Sequence, residues 1–203
     1  MKTPATSAVL GACALALILT GCGSSGSGEA TSAAPSSSSA SSADSGGSWA
    51  VSDCSAIAPP VIGALPAGAA VEGEVATTTD LATAPTVGIL QGAVPATKLV
   101  VSDVVPGSGD AVAAGATVTV EYCGVGLSSG AVFDSSWARG EPATFPLDGV
   151  ITGWQEGIPG IQPGGRRLLI IPADLAYGDT PPPGSGIAPG ETLVFVVDLV
   201  AGP

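Results

Sequence analysis

The chain contains no histidine and no asparagine in its 203 residues. Without histidine, a Ser–His or Cys–His couple is excluded, and so is an imidazole metal site. Lysine occurs only as Lys2 and Lys98, and no G-x-x-x-x-G-K-[ST] is present, so a phosphate-cradling P-loop is excluded as well. Positive charge is scarce throughout: 5 Lys and Arg stand against 17 acids, for a formal net charge of −12. Phosphate contacts need clustered cations, so nucleic acid is not an expected partner. The balance suits a soluble protein that repels anionic surfaces. No metal and no cofactor are expected.

Long apolar runs are also missing. The longest, "AVLGACALALILT" at residues 8–20, is too short to cross a bilayer and follows a single charge at Lys2. Residues 1–21 therefore read as a secretion signal. The run ends in "LTGC", which resembles the lipobox of bacterial lipoproteins, where cleavage precedes the cysteine and the cysteine carries lipid. The resemblance implies lipid attachment at Cys22 and an extracytoplasmic place on the outer face of the cell membrane; the alternative is an ordinary signal with an accidental cysteine. Acyl chains would then replace the removed helix as the anchor. Residues 22–48 are that cysteine and a linker almost wholly of Gly, Ser, Ala, Thr and Pro. Such a segment cannot bury enough apolar surface to offset its ordering entropy, and its flexible reach is roughly 30 Å.

Cys13 leaves with the signal, so Cys54 and Cys123 remain for the folded part. "TVTVEYC" alternates: Val118, Val120 and Tyr122 share one face, Thr119, Glu121 and Cys123 the other. Two thiols in an oxidising compartment, one on the outer sheet face, point to a Cys54–Cys123 disulfide; the alternative is two free buried thiols.

Residues 49–95 are rich in Ala, Val, Gly and Pro, weakly patterned, with short strand candidates such as "APTVGIL"; they are expected to form an N-terminal extension packed on the sheet. Clear periodicity begins near Lys98. "KLVVSDVV", "ATVTVEYCGV", "ATFPL", "GRRLLIIP" and "ETLVFVVDLV" read as strands, with "GLSSG" a hairpin-like turn. "ITGWQEGI" reads as a short helix stopped by Pro159 and Gly160. The Arg166–Arg167 pair reads as strand-edge charge without function. Many short strands and one brief helix give an α+β class, an antiparallel sheet packed on that helix, over residues 96–203.

The segments "VEYCG", "VFDSSWARG", "VITGWQEGI", "PGGRRLLIIP", "LAYGD" and "TLVFVVDL" occur in the order and spacing of a known family. Over about residues 97–201 the chain resembles the FKBP-type peptidyl-prolyl cis–trans isomerases. The resemblance implies a bent antiparallel β-sheet wrapped around one short helix, with an apolar hollow between them as the active site. It implies Trp154 as the floor under a proline ring and Tyr122, Phe133, Tyr177 and Phe195 as aromatic walls. Val150 and Ile151 would form the rim, with the Ile151 N–H as donor to the substrate carbonyl. Asp134 and Arg139 would be the polar pair beside it, Phe145 part of the strand leading to it, and Ile187 a loop residue closing over the ligand. Tyr122, Asp134, Ile151, Trp154 and Tyr177 are the catalytic candidates, the others substrate-binding ones. Trp137 either extends the peptide surface or covers the core.

The sequence departs from the family pattern at Ala143, where some members carry a ring, and at Gly149, where the family has a rim acid. The loop before Ile187 holds three consecutive prolines and lacks a family histidine. The implied partners are X–Pro segments of exported proteins, with macrolide inhibitors as possible ligands of the same hollow. The alternative to an isomerase is a non-catalytic module that holds proline-containing segments there.

Overall fold

A computed structural model describes residues 47–202. The expected secretion signal, the lipid site Cys22 and all but the last two residues of the expected linker lie outside them.

Strand alternation explains the architecture. In β10 (Arg166–Ile171), Leu169 and Ile171 face one core while Leu168 and Ile170 face another. In β11 (Leu193–Ala201), Leu193, Phe195, Val197 and Leu199 face the first core, Val194 and Val196 the second. A strand apolar on both faces must be covered on both. One cover is the helix α2 (Thr152–Gly157) with its flanking turns. The other is a second sheet built from the N-terminal residues.

The main sheet is antiparallel, in the order β6 (Val100–Val105), β10, β11, β7 (Thr117–Gly126), β8 (Val132–Ser135). The ten-residue β7 is long enough to pair twice on one side. Its later half pairs with β8 and its earlier half with β9 (Ala143–Pro146). α2 lies close on β10 because its facing positions are glycines: a Cβ on Gly157 would sit 2.8 Å from Leu169, and one on Gly153 would overlap Ile171.

The second sheet has the order β2 (Val61–Gly63), β1 (Trp49–Asp53), β5 (Thr86–Leu90), β4 (Val75–Thr77), β3 (Ala70–Glu72). Ala50, Cys54, Val75, Val87 and Ile89 pack against Cys123, Val125, Leu168, Ile170, Val194 and Val196. Cys54 and Cys123 are joined by a disulfide with 5.8 Å between their Cα atoms.

The reading of Arg166–Arg167 as strand-edge charge is wrong. β10 is an interior strand, paired with β6 and β11, and alternation sends the two arginines to opposite faces. Arg166 is 0% exposed. It holds both carboxylate oxygens of Asp198 at 2.6 Å and donates to the carbonyls of Thr78 and Thr83 in the N-terminal part. Burial pushes the Asp198 carboxyl above its ordinary range, and Arg166 pulls it back. Arg167 holds Asp103 and donates to the carbonyls of Gly157, Ile158 and Pro159, where α2 ends and carbonyls lack helical partners. One arginine joins the sheets and the other fixes the helix.

Candidate active site

The hollow lies on the helix-side face of the main sheet and has a volume of about 440 Å³. Tyr122, Phe133, Phe145, Trp154, Tyr177 and Phe195 all line it, as do Asp134, Gly149, Val150 and Ile151. Six rings from widely separated segments therefore meet in one concavity.

Trp154 touches three of the other rings. It comes from the first turn of α2 and is 4% exposed. Tyr122, Phe145 and Phe195 meet it edge-on, with centroids 5.6, 5.6 and 5.3 Å away and interplanar angles of 89°, 85° and 84°. Edge-to-face contacts match the positive edge of one ring to the negative face of another, so they fix orientation as well as bury area. Phe133 meets Phe195 in the same way at 5.5 Å.

The wall formed by Phe133 and Phe195 depends on a missing side chain. A Cβ on Gly124 would lie 2.5 Å from the Phe133 ring and 2.9 Å from Phe195. Gly124 was not singled out as a site residue; its one sequence signal is a glycine inside a strand pattern, which marks a close approach.

The polar edge is a closed triangle. The Tyr122 hydroxyl donates to Asp134 Oδ2 at 2.5 Å. Arg139 donates from Nη1 to Asp134 Oδ1 and from Nη2 to the Tyr122 oxygen at 2.9 Å. The guanidinium carbon also lies 5.3 Å from the centre of the Tyr122 ring. Burial pushes the Tyr122 phenol up to about 12; the bond to Asp134 adds to the rise and Arg139 opposes it. Tyr122 is thus a neutral hydrogen-bonding wall at ordinary pH and not a base.

Local structure delivers these groups. Asp134 is in β8, and Arg139 ends α1 (Ser136–Arg139), a one-turn helix absent from the sequence reading. Ser135 caps α1 by accepting from the Ala138 N–H, and Gly140 closes it at φ 79°. Val150 and Ile151 lead into α2, and the Ile151 carbonyl accepts from the N–H groups of Trp154 and Gln155. Tyr177 follows a single 3-10 turn at Ala173–Leu175.

Two candidates lie outside the lining. Arg139 stands behind it, reaching the hollow through Tyr122 and Asp134. Ile187 packs partly buried against the same core cluster without lining the hollow. Trp137, on α1, also lies outside the lining. Among the described residues no group of three His, Cys, Asp or Glu side chains is placed to hold a metal ion.

The arrangement offers an apolar, ring-lined shape with a hydrogen-bonded polar edge. Its one lining carboxylate, Asp134, is tied to Tyr122 and Arg139. That suits a reaction in which a bond is rotated.

A family model described as FKBP-type peptidyl-prolyl cis-trans isomerase matches residues 109–200. The chain is 53% identical over 112 residues to an FK506-binding protein of Streptomyces anulatus, spanning 54% of this chain and 90% of that one. It is 52% identical over 104 residues to a probable FK506-binding protein of Corynebacterium glutamicum, spanning 51% and 86% respectively. It is 49% identical over 104 residues to the FKBP-type peptidyl-prolyl cis-trans isomerase FkpA of Escherichia coli, spanning 51% of this chain and 37% of that longer one.

Proposed function

The chain belongs to the family of FKBP-type peptidyl-prolyl cis-trans isomerases, and on that premise we propose that the ring-lined hollow is where it turns X–Pro bonds. The observation that carries this is the convergence of six rings on one hollow of about 440 Å³.

The chemistry asked of the hollow is small. Rotation about an X–Pro bond makes and breaks no covalent bond; the obstacle is amide resonance, a barrier of about 18–20 kcal/mol. Uncatalysed rotation takes tens of seconds or more. The half-rotated amide has lost conjugation, and its carbonyl is less polar than in the planar form. An apolar surround disfavours the planar amide relative to the twisted one. A 10,000-fold acceleration needs about 5.4 kcal/mol of that preference.

In this reading the proline ring rests on Trp154, with Tyr122, Phe133, Tyr177 and Phe195 around it. The Ile151 N–H at the start of α2 is assigned to the substrate carbonyl. The Asp134–Tyr122–Arg139 triangle keeps the polar edge rigid and nearly charge-compensated. Ile187 is assigned to the loop that approaches the bound peptide from outside the lining.

The proposed substrates are X–Pro segments of proteins folding after export. What supports this is the sequence reading of a signal in residues 1–21, a lipid on Cys22 and a loose linker, which would hold the folded part just outside the membrane. The same hollow is proposed to take a macrolide inhibitor in competition with peptide.

The test is a protease-coupled assay on an Ala-Leu-Pro-Phe type peptide, with and without a macrolide inhibitor. Acceleration abolished by the inhibitor is expected. Rates equal to the protein-free blank would overturn the assignment of catalysis to this hollow.

A further inference from the structure

The wall that carries Phe133, Asp134 and Arg139 is short, and beyond the β7–β8 pairing and the Tyr122–Asp134–Arg139 triangle its side-chain tie to β7 is Ser136, whose oxygen accepts the Tyr122 N–H at 2.7 Å and whose hydroxyl donates to Glu121. β8 is a four-residue edge strand that among the described residues pairs only with β7, and the register slips between Gly124 and Val125. α1 is four residues long, and one turn is far below the length at which a helix holds its own shape. Yet the Tyr122–Asp134 bond of 2.5 Å requires this wall to sit in strict register with β7.

The N-terminal sheet adds a further constraint, from the face opposite the hollow. Just beyond the end of β1, Cys54 grips both partners of the β7–β8 pair. Its sulfur is bonded to Cys123, the neighbour of Tyr122 and the register partner of Ser135. Its carbonyl accepts the Ser135 hydroxyl at 2.6 Å. Ser135 follows Asp134 directly, and the same hydroxyl oxygen accepts the Ala138 N–H as the cap of α1. Cys54, Cys123 and Ser135 are each 0% exposed, so these bonds form where water does not compete. A second tie fixes the turn before β8: the Ser52 hydroxyl donates to the Gly130 carbonyl at 2.5 Å.

We propose that the N-terminal sheet is a working part of the isomerase: through Cys54 it holds the β8–α1 wall in register with Tyr122, which makes Cys54 and Ser135 positioning residues. This rests on the hollow being the catalytic site. Neither residue touches substrate. Each acts through the placement of Phe133, Asp134 and Arg139, where a shift of about 1 Å is enough to lower turnover strongly.

The test uses the full chain and two variants, Ser135→Ala and the pair Cys54→Ser with Cys123→Ser. Three readings are taken on each: circular dichroism for the fold, kcat and KM on an X–Pro peptide, and phenolate absorbance against pH, with the Tyr122 part taken as the difference from the same protein carrying Tyr122→Phe. Both variants are expected to fold, to lose about tenfold in kcat with a smaller change in KM, and to ionise Tyr122 at lower pH than the parent. A purely structural role would lower the melting temperature and leave the Tyr122 titration of the folded protein unmoved. Folded variants that match the parent in kcat and in titration overturn the proposal, as does loss of fold in both variants. A parent without turnover overturns the assignment of the hollow instead, so the two failures are distinct.

Discussion

The Tyr122 hydroxyl and Asp134 Oδ2 are 2.5 Å apart, joining the end of a wall strand to the middle of the longest strand in the main sheet. Arg139 closes the contact from the solvent side. The bond ties an ionisable ring to the rim of the hollow, and its consequences can be measured.

The first consequence is alkaline. The folded-state value of Tyr122 is raised to about 12 from 10.0. Between those values the unfolded chain has lost the phenol proton while the folded chain keeps it. Stability from this group is therefore complete below about pH 10 and is lost as pH rises toward 12. Urea unfolding of the parent and of Tyr122→Phe across this range should show a steeper decline in the parent. Parallel declines would mean that the hydroxyl is not held as described.

Gly124→Ala tests the packing of the wall. The added methyl would meet Phe133 at 2.5 Å and Phe195 at 2.9 Å. Overpacking of this kind costs about 1–3 kcal/mol. The expected outcome is a lower melting temperature together with reduced kcat/KM, because the displaced rings line the hollow. Unchanged turnover would show that the Phe133–Phe195 wall takes no part in it.

Arg166 tests how the two sheets are joined. Replacing it by Met leaves the Asp198 carboxylate without its partner and the Thr78 and Thr83 carbonyls without their donor. Breaking a buried pair from one side costs about 3–5 kcal/mol, whereas replacing both partners by apolar residues is often close to neutral. Denaturant unfolding should accordingly show a large loss for Arg166→Met and a much smaller one for Arg166→Met with Asp198→Leu. Equal losses would place the value of Arg166 in its carbonyl contacts.

The distribution of charge predicts a substrate preference. Arg139, Arg166 and Arg167 are each paired with an aspartate, while Glu141, Asp148, Asp174 and Asp179 are exposed and lie close in sequence to Phe145, Gly149 and Tyr177 of the lining. Peptides with Lys or Arg beside the proline should be turned over faster at low salt than peptides with Glu there. The difference should shrink as ionic strength rises through about 0.15 M. A salt-independent ratio would exclude electrostatic capture.

The helix-side core and the six rings were legible because strand alternation places Val118, Val120 and Tyr122 on one face, and family order identifies the rest. Alternation also put Cys123 on the opposite face, where the structure joins it to Cys54. Of the second sheet only β5 was legible, inside the candidate "APTVGIL": three of its other strands have three residues each, too few for a period of two to emerge. Helix α1 was missed for the same reason of length. The arginine pair was misread because an interior cation is explained only by its partners. Asp198 lies 32 positions from Arg166, and Asp103 lies 64 from Arg167. Gly124 and Ser135 lie one step behind the lining, where their residue types look like ordinary strand and turn chemistry.

The most direct measurement is exchange NMR on a proline peptide with a substoichiometric amount of the chain, read together with the indole N–H resonance of Trp154. The account predicts cis–trans exchange cross-peaks that the peptide alone does not give, and a Trp154 resonance that moves as peptide saturates the protein. Exchange no faster than in the free peptide, or fast exchange with an unmoved Trp154, would contradict it.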